Sequence, residues 1–107
     1  ALDVKGVRVV GDLNAHVKKV AVLGGDGGKY YHVALRKGAD VYVTGDMYYH
    51  TAIDAKMEGL NIVDPGHNVE KVMKTGLAKK LAEMCQSAKF MVNIFPSSVP
   101  TEPFQFL

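Results

Sequence analysis

Five side chains able to do acid–base or ligand chemistry lie just past apolar segments of this 107-residue chain: Asp26, Asp46, His50, His67 and Glu70. His67 and Glu70 stand three apart in "VDPGHNVEKVM" (63–73), where an extended apolar run gives way to helical spacing. Residues three apart share a helix face, so an imidazole nitrogen and a carboxylate oxygen there could converge on Zn²⁺, Mn²⁺ or Fe²⁺. The same stretch also reads as an ordinary helix start. Asp64 would cap the helix, Pro65 would sit at its first position, and Glu70 would suit the helix macrodipole. Two ligands do not make a metal site, and spacing alone leaves both readings open.

Two further loops carry chemistry. "TGDMYYH" (44–50) offers Thr44, Asp46, Tyr49 and His50 at a strand-to-helix turn. Asp46 could be the helix N-cap, accepting from first-turn N–H groups, or a ligand or catalytic group. His50 could act as an acid or base, a ligand or a substrate contact, or simply pack beside Tyr48 and Tyr49. "GGDGGK" (24–29), with Gly25, Asp26 and Gly27 at its centre, joins a strand to a helix. Glycines there let backbone N–H groups face an anion or ligand, or let strand and helix pack closely in a tight turn. The stretch has neither the P-loop nor the G-x-G-x-x-G spacing, and Asp26 would oppose a phosphate unless a cation lay nearby. His16 and His32 have no comparable partners in the sequence and read as surface or packing residues.

Short elements alternating in period must position these loops. Strands are expected at Val7 to Val10, Val17 to Leu23, Asp40 to Gly45, Leu60 to Asp64 and Phe90 to Phe95. Helices are expected from about Lys29 to Lys37, with Tyr30, Val33 and Ala34 on one side, and from Met47 to Gly59, with Gly38 and Gly59 as stops. A long amphipathic helix follows on Val69, Val72, Met73, Leu77, Leu81, Met84 and Cys85. The order β-β-α-β-α-β-α-β implies an α/β layer with a largely parallel sheet, whose ligands gather at the carboxyl ends of the strands. If the strands are neighbours, all five chemical side chains share that rim. The prolines at 96, 100 and 103 predict an irregular tail.

Composition excludes several alternatives. The chain is large enough for one domain, and 48% hydrophobic with 22% charged residues is ordinary for a globular protein. A formal net charge of +2, without an aromatic-basic stripe, gives no footprint for nucleic acid. No apolar run approaches the roughly 18 residues of a membrane span, and the N-terminus lacks signal-peptide character. Cys85, the one cysteine, excludes an intrachain disulfide and reads as a buried small hydrophobe in a reducing, cytoplasmic setting. The first residue is Ala rather than Met, which suggests processing or a fragment.

Taken together, "VAVLGGDGG", "KGADVYVTGDMYYH", "AIDAKMEGLNIVDPGHNVE" and "TEPFQFL" resemble the C-terminal half of the Nif-three-like family (NGG-interacting factor three). Bacterial members are often named GTP cyclohydrolase 1 type 2 homologs. The likeness runs from about Val17 to the end. It implies a cytoplasmic three-layer α/β/α protein assembled into ring-shaped hexamers, with two divalent metal ions (zinc, manganese or iron) in a cavity. In the family a histidine pair and an aspartate from the N-terminal half hold the metals together with the histidine and glutamate of the Gly-His helix start. His67 and Glu70 occupy that start, although many members space the two by four residues. His50 matches the family's Tyr-His motif near the cavity. The resemblance therefore implies half of a split site, on a single α/β domain or half-domain over residues 1–107 whose partner segment would lie upstream. The expected activity is hydrolase-like, on a purine nucleotide through a metal-activated water, with His50 as proton carrier and Asp46, Gly25, Asp26 and Gly27 contacting ligand. The alternative is a non-enzymatic, metal-binding oligomeric scaffold or regulator that contacts other proteins.

Overall fold

A computed structural model describes residues 2–106, which form two compact units. The first runs through Val69 and includes Phe106; the second spans Glu70–Gln105.

The first unit is built on a mixed sheet of four strands: β1 (Arg8–Val10), β2 (Val20–Asp26), β3 (Val41–Gly45) and β4 (Asn61–Asp64), in the order β1-β4-β3-β2. β2, β3 and β4 are parallel, and β1 runs antiparallel to β4. Helix α1 (Tyr31–Arg36), entered through a 3-10 turn at Gly28–Tyr30, links β2 to β3, and α2 (Tyr49–Met57) links β3 to β4. Parallel neighbours need such crossovers. The expected α/β class is therefore observed, with the three parallel strands delivering their carboxyl ends to one edge. Gly38 and Gly59 close α1 and α2 with φ of 70° and 83°.

Alternation along β3 and β4 explains the core. Tyr42 and Thr44 on β3, and Ile62 and Asp64 on β4, are buried, while Val41, Val43 and Val63 are half-buried. Tyr31 and Ala34 of α1, Ala39, Met47, Ala55 of α2 and Leu60 complete the apolar cluster. At edge strand β2, Val20, Val22 and Leu23 remain exposed.

Four expectations need correction here. The inward face of α1 is Tyr31 and Ala34, whereas Tyr30 and Val33 are exposed. The 3-10 entry rotates the register of the short helix relative to a continuous α-helical reading. Asp46 is not the cap of α2: Tyr48 holds that position, with no side-chain cap bond. Nor does Asp64 start a helix; it ends β4 with its side chain buried, and a 3-10 helix begins only at His67 (His67–Lys71). His32 does have a partner, lying 3.5 Å from a Glu58 carboxylate oxygen and stacked on Tyr31 at 3.8 Å between ring centroids.

The second unit contains helix α3 (Val72–Ser87) and an irregular tail. Phe90 to Phe95 is not a strand. A strand needs a neighbour to take its backbone hydrogen bonds, and these residues enter no ladder; Phe90, Met91, Val92 and Phe95 are exposed. The amphipathic stripe of α3 is present but not buried, and Cys85 is half-buried rather than enclosed. Lys74 Nζ donates to the Val99 carbonyl at 3.1 Å, tying the helix to the tail within this unit.

Candidate functional site

The loops after β2, β3 and β4 meet at the carboxyl ends of the parallel strands. Gly45 marks the meeting point: a Cβ there would lie 3.1 Å from the Gly66 carbonyl oxygen and 3.3 Å from that of Gly25. Backbone approaches this close would have to give by a few tenths of an ångström to admit a Cβ.

On the β2 side the glycine loop is occupied by its own hydrogen bonds. Between Val22 and Asp26 the pairing with β3 slips, so that four residues of β2 pass two of β3. Thr44 fills the bulge: its hydroxyl accepts from the Gly27 N–H at 2.9 Å and donates to the Gly25 carbonyl at 3.1 Å. The Tyr42 hydroxyl donates to the Gly27 carbonyl at 2.9 Å. Burial raises the Tyr42 pKa, which keeps that donor protonated. Gly25 and Gly27 thus make the close strand-to-helix turn. Asp26 is exposed; one of its carboxylate oxygens lies 3.6 Å from where a Gly28 Cβ would stand, beside Met47 Sδ and the Thr51 methyl. The loop after β2 therefore reaches the start of α2.

On the β4 side the groups are charged. Asp46 has a left-handed backbone, φ 54°, a conformation Asp tolerates better than most residues. This turns its carboxylate toward the next loop, where Oδ2 lies 2.5 Å from His67 Nδ1. A carboxylate can only accept, so Nδ1 carries the proton and, in the neutral ring, Nε2 holds the lone pair. Both side chains are about half exposed, at 43% and 57%. Carboxylate-held imidazoles of this kind are the usual form of a metal-ligating or proton-transferring histidine.

Asp64 supports both loops from below. Its Oδ2 accepts from the Met47 N–H at 2.9 Å and from the Arg8 guanidinium, and its Oδ1 accepts from the Gly66 N–H at 2.8 Å. Arg8 also donates to the Met47 carbonyl at 3.1 Å. Spacing suggested a cap for Asp64 and nothing for Arg8. Their partnership follows from β1–β4 register, in which Arg8 stands opposite Asp64.

The sequence-derived residues thus separate. Asp46 and His67 are joined directly, and Gly25 and Gly27 are bound to Thr44 and Tyr42. His50 is exposed on the first turn of α2 with its ring edge against Tyr49, at 5.4 Å and 85°. Glu70 lies with His67 in the 3-10 helix. Among the described residues no group of three or more His, Cys, Asp or Glu side chains could hold a metal ion. A carboxylate-held imidazole is donor chemistry that suits a metal, and a single such pair is fewer donors than a metal site needs.

Fold and rim define an α/β protein that presents a carboxylate-held histidine at the ends of its parallel strands. The sequence matches the Duf34/NIF3 (NGG1p interacting factor 3) family over residues 1–103, and the chain belongs to that family. It is 66% identical over 106 residues to a Bacillus subtilis protein named GTP cyclohydrolase 1 type 2 homolog, covering 99% of this chain and 28% of that protein. A protein of the same name from Halalkalibacterium halodurans is 59% identical over 107 residues, covering 100% of this chain and 29% of the relative. The chain therefore spans under a third of the length of these curated relatives. The crystal structure of a Bacillus cereus protein related to NIF3 superposes with a TM-score of 0.96 at 65% identity, covering 99% of this chain and 29% of that one. The match extends upstream of Val17, where the resemblance read from the sequence begins, and takes in Arg8. No helix among the described residues is long and apolar enough to cross a membrane.

Proposed function

We propose that this chain supplies part of a dinuclear divalent-metal site in a hydrolase-like protein, with His67 and Glu70 as its ligands. The Asp46–His67 hydrogen bond carries the reading, because it orients the imidazole and raises its basicity at Nε2. Bound divalent ions would acidify a water and polarise a substrate oxygen. Asp46 holds the ring, Thr44 and Tyr42 hold the adjoining glycine loop closed, and His50, exposed on α2, would exchange protons with solvent. The name shared by the relatives makes a purine nucleotide the first substrate class to test. The remaining donors would come from further chain, in an oligomer such as a hexameric ring.

Elemental analysis of the full-length protein is expected to find about two divalent ions per subunit, as in two-metal hydrolases. His67→Ala should abolish that occupancy; unchanged metal content would end the reading. A second reading, a metal-binding scaffold without turnover, is favoured by the exposed apolar stripe Val72, Met73, Leu77, Leu81 and Met84. Stoichiometric metal without hydrolysis of any purine nucleotide would select it.

A further inference from the structure

A buried carboxylate needs a reason, since removing it from water is costly unless donors surround it. Asp64 has a side chain 1% exposed, and its two oxygens serve three donors. Two of those donors are informative. Met47 N–H belongs to the residue directly after Asp46, and Gly66 N–H to the residue directly before His67. Arg8 takes the Met47 carbonyl as well, so both backbone polar groups of Met47 are held. Asp46 is left-handed, a costly conformation for a residue other than glycine, and Gly66 at φ 75° is held in one of the many conformations open to glycine, so each flank of the Asp46–His67 bond contains a backbone angle that depends on its restraints.

We propose that Asp64 is the positioning residue of the Asp46–His67 pair, clamping the backbone on both sides so that Asp46 stays on Nδ1. The part of this inference that concerns metal rests on the function proposed above. An outer partner of a ligating histidine is worth about 10- to 100-fold in metal affinity, and Asp64 acts one step further out.

The test uses full-length protein, with Zn²⁺ as probe. Asp64→Asn keeps the shape but offers one acceptor oxygen to three donors and turns its amide toward an N–H. It is expected to weaken Zn²⁺ binding about tenfold. Asp46→Asn should weaken it by at least as much, and the double variant should be no weaker than Asp46→Asn alone, because both act through one hydrogen bond. A carboxylate that only stabilised the fold would lower the melting temperature while leaving affinity unchanged, or would add its effect to that of Asp46→Asn; either result overturns the proposal. Histidine-selective ¹⁵N NMR of the metal-free protein gives a readout independent of metal. His67 should be the Nδ1–H tautomer in the wild type and a mixture in Asp64→Asn, and an unchanged tautomer overturns the proposal. If the wild type binds no Zn²⁺, the metal function fails and the tautomer alone decides the positioning role. Should Asp64→Asn not fold, Arg8→Gln replaces it in both measurements. It releases only the Met47 side and should shift both readouts in the same direction by a smaller amount; no shift in either overturns the proposal.

Discussion

The two sides of the rim are built on opposite principles. Between β2 and β3, neutral hydroxyls of Thr44 and Tyr42 close the glycine loop on itself, with both partners buried. Between β3 and β4, charged groups make the connections, and the outermost of them, Asp46 and His67, remain half exposed. A closed, neutral turn stabilises but has little left with which to react. A half-exposed carboxylate–imidazole pair contributes little stability and stays open to solvent. The rim thus separates a side closed on itself from a side left half exposed, although both looked equally eligible in the sequence.

Gly27→Ala should break the neutral side most severely. Its Cβ would stand 2.2 Å from Thr44 Oγ1 and 2.6 Å from the Tyr42 hydroxyl, displacing both anchors. A loss of about 3 kcal/mol is expected by chemical denaturation, the upper range for overpacking. Thr44→Val is gentler. It keeps the shape but leaves the buried Gly27 N–H only its two-residue turn bond to the Gly25 carbonyl at 3.1 Å, for about 1 kcal/mol. Asp46→Asn should then invert the pattern, with a stability change under about 1 kcal/mol, as for exposed ion pairs, but an affinity for Zn²⁺ lowered about 10- to 100-fold. A large stability loss in Asp46→Asn, or a large affinity loss in Thr44→Val with stability intact, would break the division into two sides.

Two titrations sharpen the contrast away from the rim. Tyr31 is pushed up to about 12 by burial, then by its hydrogen bond to Glu58 and the charges of Glu58 and Asp54. Since the folded value is raised, its contribution to stability is whole below the unfolded value and lost as pH rises through the folded one. Ultraviolet absorbance of wild type minus Tyr31→Phe should show one phenol ionising near 12. At the amino ends of the strands, Asp40 accepts the Lys18 and Lys19 backbone N–H groups at 2.8 and 2.7 Å. Those bonds hold its pKa below the ordinary carboxylate range against a smaller opposing effect of desolvation. Its contribution is therefore present above the unfolded value and disappears as pH falls through the folded one. The stability gap between wild type and Asp40→Asn should close on acidification, the smallest effect of the set.

Much of this was readable along the chain. Apolar runs marked strands at Asp40 to Gly45 and Leu60 to Asp64, glycines marked the ends of α1 and α2, and polar loops after each parallel strand marked the rim. The errors share one cause. Asp64 followed by Pro65 has the local chemistry of a cap, but β4 alternation turns its side chain inward, where Arg8 and Met47 wait. Asp46 stands where a cap would, yet its left-handed backbone turns it toward His67. Phe90 to Phe95 has strand composition and no strand beside it.

By itself, the sequence determined the alternating strands and helices of the first unit and which residue types reach the carboxyl ends of its parallel strands, because periodicity and turn chemistry are local. Only the tertiary structure decided that Asp46 belongs to His67, that Thr44 belongs to the glycine loop, and that Asp64 holds the backbone beside both members of the pair. Apart from the local Asp64–Gly66 bond, two residues apart, those partnerships span 17 to 21 residues between loops, and Arg8 reaches Asp64 across 56. They depend on strand order and register, and a one-residue slip in either would turn each side chain to the opposite face.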